Sequence, residues 1–145
     1  MEILYFDLAH AIRVHDYIVE TIGGLPGTKD EGQLDSVLTH IQNDDYYPAL
    51  EDKLTHLVFA LAKFHCFTDG NKRSAIALGA YFLELNGYDW LVNHFIREME
   101  NIVVWVAEGG VRKELLLQLI ICLCNADEYP DELKLELIDA SGGLA

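Results

Sequence analysis

Apolar side chains recur at three- and four-residue steps along almost the whole chain, the spacing that turns one face of an α-helix toward a core. Leu8, Ala11, Ile12, His15, Ile18, Val19 and Ile22 form the first stripe, with Asp7 placed to cap it. Gly23-Gly24 ends it, and Gly23-Gly24-Leu25-Pro26-Gly27 reads as a turn. Asp30 caps a second stripe of Leu34, Val37, Leu38 and Ile41. The polar, aromatic and proline-ended stretch 43–48 reads as a loop or a short hairpin. A third helix is predicted over 52–64, burying Leu54, Leu57, Val58 and Leu61, and a fourth from Asn71 to Leu85, where Asn86-Gly87 stops it. A fifth is predicted over 95–107 and a sixth over 112–125. Pro130 opens a short seventh whose stripe is Leu133, Leu137 and Ile138. Residues 141–145 read as a frayed end. The fold class that follows is all-α: one compact helical bundle over 1–145, with a loop or small β-hairpin near 43–50 and a short acidic extension over about 126–145.

Composition narrows what such a bundle can do. The chain is 51% hydrophobic over 145 residues, enough for one real core and against wholesale disorder. Lys and Arg number 10 against 24 Asp and Glu, a net charge of -14, which repels nucleic acid and anionic membrane surfaces. The apolar run 115–124 falls well short of the ~20 residues a membrane span requires. No basic and apolar leader opens the chain, and the three cysteines (66, 122 and 124) form no CxxC pair. Cys122 and Cys124 fall in a leucine-rich stretch and are expected to be buried. A reducing, cytoplasmic setting is the expectation.

The chemistry concentrates in His65-Cys66-Phe67-Thr68-Asp69-Gly70-Asn71-Lys72-Arg73, which joins the third helix to the fourth. A helix N-terminus presents unpaired backbone N–H groups and a partial positive charge, and together these bind phosphate. Gly70 lets the backbone turn sharply toward a ligand, and Lys72 and Arg73 add two cations to the first turn. Cations at a helix N-terminus run against the dipole, an arrangement that makes sense where an anion sits between them. Asp69 is a carboxylate placed to hold magnesium beside phosphates. Imidazole is the usual general base, and His65 supplies one, while Phe67 is expected to pin the loop into the core. Taken singly, a helix-end histidine, an Asp-Gly-Asn turn and a Lys-Arg pair are ordinary structural features. Their coincidence within nine residues is what points to phosphoryl or nucleotidyl transfer.

The same segment resembles the Fic/Doc family pattern H-x-F-x-[D/E]-[G/A]-N-[G/K]-R and matches every specified position. Gly23-Gly24-Leu25-Pro26-Gly27 with Asp30, and the run from Arg73-Ser74-Ala75 through Asn86-Gly87, are similar to its Doc (death-on-curing) branch, so that the likeness covers about 5–125. The resemblance implies a helical bundle with this loop at the mouth of an ATP site. It makes His65 the general base, Asp69 the magnesium ligand, Gly70, Asn71 and Lys72 the anion cradle, and Arg73 the holder of a terminal phosphate. It also implies a target-docking flap, placed by position at 43–50 with Tyr46 and Tyr47, two residues that equally read as packing aromatics. The implied partners are a target protein offering a Ser, Thr or Tyr hydroxyl, a translation factor in the Doc branch, and an antitoxin. Lys72 in place of glycine favours γ-phosphate transfer; Gly70 in place of alanine favours AMP transfer.

Other classes fare worse on the residues. The inhibitory pattern [S/T]-x-x-x-E-[G/N] of AMP-transferring relatives has its nearest match at Val104-Trp105-Val106-Ala107-Glu108-Gly109, which lacks the hydroxyl. A catalytically silent binding module would show an eroded loop, and no position is eroded. A cysteine hydrolase built on His65 and Cys66 lacks a nucleophile context, HExxH spacing is missing, and neither Walker nor G-x-G-x-x-G loops occur.

Overall fold

The computed structural model describes residues 2–142 and forms seven helices among them: α1 (Leu8–Ile22), α2 (Glu31–His40), α3 (Leu50–Lys63), α4 (Asn71–Leu85), α5 (Asp89–Glu108), α6 (Lys113–Cys124) and α7 (Asp131–Ala140). The all-α expectation holds. Among the described residues the only β pairing is an isolated antiparallel bridge between Thr28 and Phe67. Of the end read as frayed, Ser141 and Gly142 form a turn, and 143–145 lie outside the described residues.

Two predicted caps form as read. Asp7 accepts from the His10 N–H and Asp30 from the Gln33 N–H, both at 2.9 Å, satisfying donors that the first helical turns leave free. α3 begins at Leu50, two residues early, because the Asp52 carboxylate reaches back to the Ala49 N–H at 3.0 Å. α5 begins six residues before the expected 95. Its stripe is Leu91, Phe95, Met99, Ile102, Val103 and Val106, and the polar pair Asn93-His94 had hidden the first turn.

α3 is the axis of the bundle, packed by α2, α4, α5 and α6, with ten of its fourteen residues buried. At Gly79 α4 comes close to its neighbours: a Cβ there would lie 2.9 Å from Phe95 and 3.0 Å from Val58. α7 packs on α6 and buries Leu133. Cys124 is buried as expected, while Cys122 is half-buried.

Of the loop and the short hairpin read for 43–48, the loop forms. The Asn43 side-chain oxygen accepts from the N–H groups of Asp45 (3.0 Å) and Tyr46 (3.2 Å), and the Tyr47 N–H donates to the Asn43 carbonyl, which closes a turn rather than a ladder. Pro48 has no N–H to add. Lys53, fully buried on α3, locks this turn by donating to the Ile41 carbonyl (2.9 Å) and the Asp44 carboxylate (2.7 Å).

Candidate functional site

α3 ends at Lys63, and the chain then makes one tight excursion before α4 starts at Asn71. His65 sits in the left-handed region (φ 51°), a conformation that costs a non-glycine residue about 1–2 kcal/mol. The next two residues turn inward, with Cys66 and Phe67 both at 0% exposure. Phe67 is the anchor expected of it: its ring lies parallel to the buried His15 ring on α1, centroids 3.9 Å apart.

Asn71 closes the excursion. Its side-chain oxygen accepts from the Phe67 N–H and its side-chain NH2 donates to the Phe67 carbonyl, both at 3.0 Å and both buried. The amide thereby braces the loop, and one side-chain N–H and the backbone N–H are left to serve an anion cradle. Gly70 has φ 76°, the left-handed geometry that lets α4 start abruptly. The Ser74 N–H is the first to bond back into the helix, to the Gly70 carbonyl at 3.0 Å. The N–H groups of Asn71, Lys72 and Arg73 therefore open the helix without intrahelical partners.

The α1–α2 connection is clasped to this loop. The N–H groups of Lys29 and Asp30 both donate to the Cys66 carbonyl at 2.9 Å, and the Thr68 N–H donates to the Gly27 carbonyl at 3.1 Å. The Asp69 carboxylate accepts from the Leu25 N–H (3.1 Å) and the Gly70 N–H (2.8 Å). Those two donors, Leu25 first, hold the Asp69 pKa below the usual carboxylate value, with Arg73 adding to them. Gly24 is required here, since its φ is 121° and a Cβ would stand 3.0 Å from Asp69 Oδ2.

His65, Asp69, Gly70, Asn71, Lys72 and Arg73 share one cavity of about 420 Å³, completed by Ala62 and Thr68. Neither Lys72 nor Arg73 forms an ion pair among the described residues, and both are exposed. The residues fit a magnesium–nucleotide ligand. Asp69 is ionised, fixed in place and open to solvent, and each of its oxygens keeps a lone pair beyond the backbone bond it accepts. No three metal-binding side chains cluster among the described residues, so a cation here would complete its shell with phosphate oxygens and water.

Tyr46 and Tyr47 are not brought to this cavity. They precede α3, whereas the loop follows it, and its 14 residues separate the two ends by ~21 Å. Tyr46 is exposed. Tyr47 stacks on His56 at 4.7 Å and takes part in a cluster in which Lys113 Nζ lies 3.2 Å from its hydroxyl and 2.9 Å from His56 Nδ1. The segment bonded to the loop is 23–30, of which 23–27 reads from sequence as a turn and Asp30 as a helix cap. The other residue the reading passed over is His15, taken as one more member of the α1 stripe. A histidine within an otherwise apolar stripe was the signal.

Cys66 offers no nucleophile: burial pushes its thiol up to about 11. No described helix is long and apolar enough to cross a membrane.

A model described as the Fic/DOC family matches residues 5–83, from just before α1 to near the end of α4. The chain is 36% identical to "Protein kinase doc" of Escherichia phage P1 over 104 residues, covering 69% of this chain and 79% of that protein. It is 35% identical to "Toxin Doc" of Mycolicibacterium smegmatis over 89 residues, covering 59% of this chain and 68% of that one.

Proposed function

Since the chain belongs to the Fic/DOC family, we propose that it is a Doc-like toxin that moves the γ-phosphate of ATP to a hydroxyl of a target protein. The observation that carries this reading is the shared cavity, in which an exposed imidazole, a fixed carboxylate and a cationic helix N-terminus face one space. The target hydroxyl oxygen forms a bond to the γ-phosphorus as the bond from that phosphorus to the bridging oxygen breaks. The hydroxyl proton passes to His65, and ADP leaves. The N–H groups opening α4, with Lys72 and Arg73, hold the phosphates and take up the charge that develops on them. Magnesium bound with the nucleotide would be held by Asp69 and would neutralise phosphate charge.

The segment proposed to meet the target is 23–30, the connection tied to the loop, rather than Tyr46 and Tyr47. Leu25 in that connection is 63% exposed. The proposed partner in regulation is a separate antitoxin, since the segment 104–109 is the end of α5, lacks the inhibitory hydroxyl and keeps Val106 buried.

Adenylyl transfer is the second reading, favoured by glycine at position 70. The left-handed φ of Gly70 supplies a conformational reason for that glycine, which leaves Lys72 as the discriminating residue. The deciding experiment incubates purified protein, magnesium and a cell lysate with ATP labelled at the α- or γ-phosphorus, beside a His65→Ala variant. Label from γ-ATP alone, reduced at least 100-fold in the variant, is expected. Label from α-ATP would replace the kinase with an adenylyltransferase, and label from neither would sink both.

A further inference from the structure

The motif loop rests on a residue 50 positions before it begins. His15 is at 0% exposure on α1, and its Nε2 lies 2.6 Å from the Asp69 carbonyl oxygen. A carbonyl oxygen only accepts, so Nε2 must carry the proton and donate it. The other nitrogen, Nδ1, has no hydrogen-bond partner and lies 3.5 Å from Asp16 Oδ1. The ring is clamped in plane by Phe67, with an interplanar angle of 2°. Where a side chain would project from Gly70, Nε2 is 3.6 Å away, so the imidazole lies directly beneath the Asp69–Gly70 peptide.

That peptide governs the geometry of the cavity. Its carbonyl faces His15, and its N–H faces the Asp69 carboxylate at 2.8 Å. If the peptide rotated, the carboxylate would lose one of its two backbone donors, and the N–H groups that open α4 would turn with it. We propose that His15 is a positioning residue for the transfer site: its Nε2–H bond to the Asp69 carbonyl sets the peptide that aims both the carboxylate and the helix N-terminus. The kinetic part of this inference rests on the transferase reading above; the structural part does not.

Three measurements on the full chain test it. The first is the 15N signature of the His15 ring in the wild-type protein, expected to show a protonated Nε2. A bare Nε2 would overturn the proposal with no variant needed. The second compares amide exchange in His15→Phe, which keeps a ring against Phe67 and removes the donor, and in His15→Gln, whose amide nitrogen reaches the same position. In His15→Phe the Gly70 and Leu25 amides are expected to exchange at least tenfold faster, with Leu78 and Leu83 of α4 unchanged. In His15→Gln they are expected within threefold of wild type. Uniform acceleration across the protein, or none, would reduce His15 to an ordinary core residue. The third is label transfer: KM for magnesium–ATP is expected to rise tenfold or more in His15→Phe, with kcat changed less than KM, and to recover in His15→Gln. An unchanged KM would overturn the positioning role. Should the wild-type protein transfer no label, the transferase reading falls, and the ring signature and exchange pattern still decide whether His15 sets the peptide.

Discussion

Within the nine-residue loop some side chains face the cavity and others hold the loop in shape, and the two kinds respond differently to truncation. Asn71 holds. Asn71→Ala removes both partners of the Phe67 backbone, leaving an N–H and a carbonyl buried with nothing to bond. A buried backbone group stranded in this way costs about 1–3 kcal/mol. Asn71→Ala is therefore expected to lower unfolding free energy by roughly 2–3 kcal/mol in urea titrations and to reduce transfer as well. Lys72 faces outward and pairs with nothing among the described residues, so Lys72→Ala is expected to move stability by no more than about 0.5 kcal/mol while weakening nucleotide binding. Equal stability losses in the two variants would mean that the Asn71 brace is not what fixes the loop.

Between elements, one tight joint lies at Gly79, where α4 crosses α3 and α5. Two effects oppose each other in Gly79→Ala. Alanine is the better helix former by about 1 kcal/mol. Against this, the new Cβ would meet Phe95 at 2.9 Å and Val58 at 3.0 Å, both side chains fully buried, and overpacking of this kind costs about 1–3 kcal/mol. The clash is expected to win, lowering stability by about 1 kcal/mol, and a Tm at or above wild type would show that the helices can spread. Periodicity made the seven helices legible because each carries an apolar stripe, and Asp7 and Asp30 cap as read. It placed the start of α5 late, since Asn93 and His94 interrupt the stripe within the turn that Leu91 anchors. The candidate site was legible as a cluster because its residues are consecutive. The clasp by 23–30 was not, because backbone bonds from Leu25, Lys29 and Asp30 carry no side-chain signature. The same limit hid that Tyr46 and Tyr47 lie away from the cavity: position along the chain does not reveal that α3 holds its two ends ~21 Å apart.

Across the whole molecule the net charge of -14 sets one trend with pH, and a single buried histidine sets the opposite one. Acidification protonates carboxylates and relieves self-repulsion, which by itself favours the compact state. His56 works against that trend. Lysine has protons only to give, so His56 Nδ1 accepts from Lys113 Nζ and its proton is on Nε2. A second proton on the ring would meet the ammonium at 2.9 Å in a site nearly closed to water. Burial first, then Lys113 and His40, lower the His56 pKa from 6.5 to about 4. Between those values the unfolded chain binds a proton that the folded protein refuses, so stability rises with pH there. The contribution is fully present above about pH 6.5 and is lost as pH falls toward about 4. From about pH 7.5 to about pH 5.2, still above the isoelectric point near 4.6, the loss owed to His56 is about 2 kcal/mol. His56→Asn keeps an acceptor for Lys113 and does not titrate, so urea midpoints of both proteins at the two pH values isolate the term. The variant is expected to lose about 2 kcal/mol less than wild type over that interval. Parallel losses would mean that the ring accepts its proton in the folded state, and that Lys113 moves aside when it does.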